Sequence, residues 1–115
     1  MAIDRYTPGL VAAKAYTASS TADFEYMPRS GHSKITVFTR PSTDGTVTLY
    51  RRAADGTLVS LGTAVAVSGS AEDAQMVDYP LSGSLVARFT DTSGGAGTST
   101  CEFADDGTRQ GTVGV

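Results

Sequence analysis

Residues 45–62, which read GTVTLYRRAADGTLVSLG, contain the pattern that decides the fold. Val47 and Leu49 alternate with polar or aromatic neighbours, a period of two that is typical of a half-buried β-strand. Asp55-Gly56 then separates this run from a second apolar one, and Asp-Gly is a strong short-range signal for a tight turn. The stretch therefore predicts a β-hairpin that closes at Asp55-Gly56.

The same period of two recurs along the chain, and turn residues bound each run. The predicted strands cover residues 10–18, 22–27, 33–40, 45–52, 57–61, 63–68, 75–79, 84–91 and 98–104. Turn signals fall about eight to twelve residues apart, which is typical of an antiparallel sandwich and too short for βαβ crossovers. Residues 70–76 begin like a capping box and could form one helical turn or a loop. The sequence predicts an all-β protein, an antiparallel β-sandwich of the jelly-roll or immunoglobulin-like type.

The length of 115 residues fits a single domain with a modest core, so association with other chains would add useful stability. We predict a β-sandwich domain over residues 9–107. Residues 1–8 lack the alternation and are predicted to be an N-terminal arm or a frayed terminus. Residues 108–115 are predicted to form a C-terminal edge strand or an extended tail.

Charge and cysteine content argue against several functions. The net charge of −3 gives no positive field for phosphate backbones, so we expect no nucleic-acid binding. No run of residues approaches the roughly 20 apolar positions of a membrane helix, so we expect a soluble protein with no membrane partner. Cys101 is the only cysteine, which excludes an internal disulfide and a multi-cysteine zinc site. We interpret it as a small buried apolar residue.

Residues that could perform chemistry are few, and we predict neither an enzyme nor a cofactor. His32 is the only histidine and lies in a polar turn without a nucleophile motif beside it. The carboxylates of Asp44, Asp55 and the Asp105-Asp106 pair could in principle bind Ca²⁺, but no calcium-loop spacing is present. We therefore interpret the Asp-Gly pairs as turns, with Asp44-Gly45 taking the chain out of the strand before it.

The aromatic residues favour packing or protein contact. The chain has five tyrosines and no tryptophan, which weighs mildly against a sugar-stacking platform. We predict contact residues near both ends of the chain, because a lone folded domain could leave them exposed. These residues are Tyr6, Leu10, Tyr16, Val113 and Val115.

The run from Gly45 to Leu61 resembles a pattern common in small virion proteins of tailed bacteriophages. In these proteins a G-T-V-T-L strand leads through an arginine-bearing segment to an Asp-Gly turn and another strand. Residues 85–94, which read LVARFTDTSG, are similar to the strand and Thr-Ser-Gly turn that follow in such chains. The resemblance covers roughly residues 33–104 and points to the capsid decoration, or cement, type.

This resemblance implies a structural protein of the virion, assembled in the host bacterial cytoplasm. Its expected partner is the major capsid protein or another virion protein, and a homo-oligomer, preferably a trimer, is expected. Two alternatives remain open. The first is a neck, tail or fibre accessory of the same particle, and the second is a carbohydrate- or receptor-binding β-sandwich module.

Overall fold

The computed structural model describes residues 11–27, 34–78 and 83–105. These residues form nine β-strands: β1 (Val11–Tyr16), β2 (Thr21–Tyr26), β3 (Lys34–Pro41), β4 (Gly45–Arg52), β5 (Leu58–Ser60), β6 (Val65–Val67), β7 (Asp73–Asp78), β8 (Leu85–Asp91) and β9 (Gly97–Asp105). Each lies within or close to a strand that the alternation predicts. The predicted arm at residues 1–8 and the tail at 108–115 lie outside the described residues.

The strands form two antiparallel sheets. Sheet A has the order β1-β9-β3-β7, and sheet B has the order β2-β8-β4-β5 with β6 also paired to β4. Apart from the added β6, this is the order of a jelly roll, in which the chain passes repeatedly from one sheet to the other. The all-β sandwich is therefore confirmed, and of the two types left open the topology is that of a jelly roll.

The core lies between the two sheets, where inward positions recur at every second residue. On β3 the inward residues Ile35 and Val37 are 0% and 1% exposed. Opposite them, Val47 of β4 and Phe89 of β8 are 0% and 1% exposed. Branched and aromatic side chains of this kind pack well on a pleated surface, and their removal from water supplies the main driving force for folding.

The Asp55-Gly56 hairpin is confirmed, and it joins β4 to β5. Gly56 adopts a φ of 92°, a conformation that side chains disfavour. Its backbone N–H donates to the carbonyl of Ala53 at 2.9 Å, and the N–H of Ala53 donates to the carbonyl of Thr57 at 2.8 Å. This is a three-residue loop with a left-handed glycine, one of the common hairpin connections.

Asp44-Gly45 lies where the chain leaves β3, as predicted, but it does not close a hairpin. β3 and β4 belong to different sheets, so residues 42–44 carry the chain across the sandwich. Gly45 begins β4 against Phe89, where a Cβ would come within 2.5 Å of the phenyl ring. The glycine is therefore required for close packing.

Residues 70–72 form the predicted loop, whereas residues 73–76 already belong to β7, and the segment contains no helical turn. Ser70 has a φ of 65°, and β7 begins at Asp73. In the described part of the chain, no helix has the length and apolar character needed to cross a membrane.

Candidate functional site

The predicted contact residue Tyr16 is part of the core, so this prediction is wrong. It lies on an edge strand but points inward, opposite Gly97, and is 5% exposed. Its ring centroid is 4.9 Å from that of Phe89, and its hydroxyl lies 2.7 Å from Oγ1 of Thr43. Gly97 makes this possible, because a Cβ there would lie 2.8 Å from the tyrosine hydroxyl.

The other predicted residues divide between the core and the undescribed parts of the chain. Tyr6, Leu10, Val113, Val115 and His32 lie outside the described residues. Cys101 is 1% exposed, and burial raises the pKa of its thiol to about 12. The interpretation of Cys101 as a buried apolar residue is therefore confirmed.

The turn aspartates use their carboxylates to hold turns. Oδ1 of Asp55 accepts hydrogen bonds from the backbone N–H of Thr57 at 3.0 Å and from its hydroxyl at 2.8 Å. These bonds lower the pKa of Asp55. Oδ1 of Asp44 accepts from the backbone N–H of Gly69 at 2.7 Å. Within residues 11–27, 34–78 and 83–105, no three His, Cys, Asp or Glu side chains cluster to hold a metal ion.

Asp91 joins three loops at one end of the sandwich, a role that the sequence analysis missed. Its carboxylate accepts hydrogen bonds from the backbone N–H of Ser19 at 2.8 Å and from the hydroxyl of Thr43 at 2.7 Å. It also accepts from the N–H groups of Ser93 at 3.1 Å and Gly94 at 3.0 Å. These donors lower the pKa of Asp91, so the group is a charged structural anchor and not a proton donor.

The outer face of sheet B carries two bidentate ion pairs. Arg88 donates to the two carboxylate oxygens of Asp23 at 2.8 and 2.9 Å. Arg52 donates to the two carboxylate oxygens of Glu25 at 2.8 and 3.1 Å. The Arg88 guanidinium carbon also lies 5.2 Å from the ring centroid of Tyr50. We call these five residues the ion-pair face.

Hydrogen bonds on the ion-pair face favour the charged forms of Glu25, Arg52 and Arg88. The hydrogen bond from Arg52 is the largest cause of the lowered pKa of Glu25, and the hydroxyl of Ser84 adds a second bond. The bond to Asp23 raises the pKa of Arg88. Val86 of β8 pairs with Glu25 of β2 on one side and with Tyr50 of β4 on the other. Val86 is 1% exposed, so the side chains of the ion-pair face cover it. The arrangement offers charged donors and acceptors that suit recognition of hydroxyl groups.

The outer face of sheet A has the opposite character. It presents alanine and threonine together with two larger apolar side chains, and we call it the small-residue face. Its members are Ala13, Ala15, Thr36, Phe38, Ala74, Met76, Thr98, Thr100 and Ala104. Met76 is 68% exposed, the most of any large apolar residue described.

The charges near the small-residue face lie mainly at its ends. Lys34 pairs with Asp78 at 2.7 Å at one end of β3, and Arg40 pairs with Glu72 at 3.2 Å near the other. Of the described residues on the middle of this face, Glu102 is the one with a charge. The face thus resembles a protein contact surface, with its charges towards the rim.

A cleft opens along one side of the sandwich, between β7 and the segment that joins β5 to β6. It has a volume of about 320 Å³. Its lining residues are Leu49, Leu61, Gly62, Thr63, Gln75, Met76, Val77 and Asp78. We call it the open cleft.

Comparisons with known proteins bear on the fold. No family model and no curated protein matches the chain. The Yersinia pseudotuberculosis-derived mitogen has a TM-score of 0.54 at 8% identity, covering 84% of this chain and 86% of that one. The pre-peptidase C-terminal domain of collagenase from Bacillus anthracis has a TM-score of 0.56 at 10% identity, covering 84% and 89%. A CBM22-1 xylan-binding domain from Paenibacillus barcinonensis has a TM-score of 0.47 at 13% identity, covering 83% and 80%.

Likeness at such low identity shows the fold alone. The resemblance to phage virion proteins therefore stays a prediction. The topology and the first two structural neighbours agree that this chain is an antiparallel β-sandwich.

Proposed function

We propose that the chain is a non-enzymatic structural subunit that binds other proteins of a phage virion through the small-residue face. The observation that carries the proposal is the exposure of Met76 on a sheet face whose middle is almost free of charge. Apolar surface of this kind, with polar groups at its rim, marks protein interaction sites. The expected location is the capsid surface, and the neck or tail of the particle is the alternative.

The geometry of the small-residue face suits a broad contact. Alanine and threonine side chains are short, so a second sheet or a flat protein surface can approach the backbone of sheet A closely. Sheets that pack face to face lie about 10 Å apart. Phe38 and Met76 then supply the larger apolar groups that are enriched in interface cores. Repeated copies on one particle would add avidity to each modest contact.

A matched pair of variants tests this proposal. Ala13 and Ala66 are both exposed alanines on strands at sheet edges, but Ala13 lies on the small-residue face and Ala66 on the outer face of sheet B. Virions purified from hosts that carry each variant gene are assayed for copies of the chain. Ala13→Glu should reduce the copy number at least tenfold, and Ala66→Glu should leave it unchanged. Equal incorporation of both variants would refute a contact through sheet A.

The ion-pair face supports a second candidate, binding of a carbohydrate. Tyr50 places an aromatic ring beside Arg88 and the carboxylate of Asp23, and such groups together can contact a sugar ring and its hydroxyls. A glycan array followed by titration calorimetry tests this function. Binding that Tyr50→Ala abolishes would support it. A negative array, with and without Ca²⁺, would rule out carbohydrate binding.

A further inference from the structure

Two buried polar atoms on β7 lack a hydrogen-bond partner, and one of them belongs to Gln75, which lines the open cleft. Nε2 of Gln75 and Oδ2 of Asp73 are buried, and neither has a hydrogen-bond partner among the described residues. The two residues are two positions apart on one strand, so both side chains point to the inside of the sandwich. Buried polar groups in folded proteins are normally paired. An occupant that reaches Gln75 should therefore bring a hydrogen-bond acceptor for its amide.

The residues that line the open cleft indicate which side chains an occupant carries. Leu49, Leu61 and Val77 form an aliphatic lining, which suits branched apolar side chains. An extended polypeptide with aliphatic residues at alternate positions offers both the apolar groups and the backbone N–H and C=O groups.

β7 also has an open edge that can receive a strand. It is the last strand of sheet A, and among the described residues it pairs with β3 alone. Every second residue of such an edge directs its backbone N–H and C=O away from the sheet. A strand added there would continue sheet A and cover the open cleft.

We propose that residues 110–115 of a second copy of this chain add as a strand to β7 and close the open cleft. Val113 and Val115 are two positions apart, so both would face Leu61 and Val77 in the cleft. Their neighbours Thr112 and Gly114 are small and would face outward. The inference deepens the proposed assembly role and rests on it.

Charge also fits this occupant. Arg109 is the only charged residue between positions 107 and 115. β7 carries Asp73 and Asp78, one at each end of the strand. An added strand that begins just after Arg109 can run parallel or antiparallel to β7. In both cases it can place the Arg109 cation near one of these two carboxylates.

The topology favours a second copy over the chain's own tail. β9 ends at Asp105 beside Ile35 of β3, and Ile35 in turn lies beside Val77 of β7. The chain enters β3 and leaves β7 at this same end of sheet A. To reach the outer edge of β7, the tail of the same chain would have to pass the ends of both β3 and β7 within the few residues that follow Asp105. A tail from a second copy meets no such obstacle.

Cysteine cross-linking between mixed chains tests the proposal. One full-length variant carries Thr63→Cys at the cleft, and a second, tagged variant carries Val113→Cys in the tail. The native Cys101 is 1% exposed and does not compete. The matched control replaces Thr63→Cys with Thr21→Cys, an exposed threonine on β2 at the far side of the sandwich. After mild oxidation, we expect at least tenfold more mixed disulfide with Thr63→Cys than with the control.

Two results would overturn the proposal. One is a mixed disulfide no more abundant than in the Thr21→Cys control. The other is cross-linking confined to single chains that carry both Thr63→Cys and Val113→Cys, which would assign the site to the chain's own tail. Either result leaves the test of the small-residue face intact, because incorporation of Ala13→Glu into virions depends on a different surface.

Discussion

The carboxylate of Asp91 accepts a hydrogen bond from the backbone N–H of Ser19, 72 positions earlier in the chain, at 2.8 Å. The same group binds Thr43, which lies in the crossing between the two sheets, and Ser93, which follows β8. Three connections at one end of the sandwich thus share one buried anion. Such a network is strong when every member is paired and costly when one is lost.

Replacement of Asp91 by asparagine is expected to destabilise the fold. The amide keeps the size of the side chain but loses the charge, and one of its two polar atoms becomes a donor that faces donors. Chemical denaturation followed by circular dichroism should give a clearly lower free energy of unfolding for Asp91→Asn than for Asp55→Asn. Asp55 is the matched control, because its carboxylate holds only one exposed hairpin. A decrease no larger than that of Asp55→Asn would contradict the anchoring role.

Stability is expected to fall in acid, and Asp91 should account for much of the loss. Its pKa in the folded chain is lowered below the usual value of 3.8. Its contribution is therefore complete well above the unfolded value and is lost as the pH falls through and below it. The free energy of unfolding should decrease between about pH 5 and pH 2, with a shallower slope in Asp91→Asn. Identical slopes would show that the group does not stabilise the fold.

Substitution of Gly45 by alanine is expected to damage packing between β4 and β8. The new Cβ would meet the Thr90 carbonyl oxygen and lie within 2.5 Å of the Phe89 ring. Overpacking of this kind costs about 1–3 kcal/mol of unfolding free energy, and sometimes more. Gly62→Ala is the matched control, because nothing lies within 4 Å of its Cβ position. Thermal melting should separate the two variants, and equal melting temperatures would contradict the close approach.

Phe89 is expected to be among the most sensitive core positions. It is 1% exposed and packs against Tyr16 with ring centroids 4.9 Å apart. Phe89→Ala should reduce the free energy of unfolding by about 3–5 kcal/mol, since it removes a buried ring and leaves a cavity. Val59→Ala, at a side chain that is 45% exposed, should change it by less than about 0.5 kcal/mol. A small effect of Phe89→Ala on the free energy of unfolding in denaturant titrations would contradict the central position of Phe89 in the core.

The strands could be predicted from the sequence because their signal is local. Alternation around Val47 and Leu49, and the Asp55-Gly56 turn, depend on residues within a few positions of one another. The choice between jelly roll and immunoglobulin-like sandwich could not be predicted, since it depends on which strands share a sheet. For the same reason Tyr16 was misassigned, because its burial depends on Gly97 in β9.

The candidate surfaces were harder to foresee than the strands. The ion-pair face combines Asp23 with Arg88 from another strand, and no spacing in the sequence brings them together. Asp91 could have been suspected from the Asp-Thr-Ser-Gly turn that follows it, but its bond to Ser19 could not. The small-residue face does follow from alternation, although only the paired register shows that its members form one surface.

An electron-microscopy map of purified virions from a host that carries this gene tests the central claim most directly. We predict density for the sandwich on the particle, with Ala13, Phe38 and Met76 of the small-residue face against a neighbouring protein. Absence of the chain from the particle, or density in which this face points to solvent, would contradict the account.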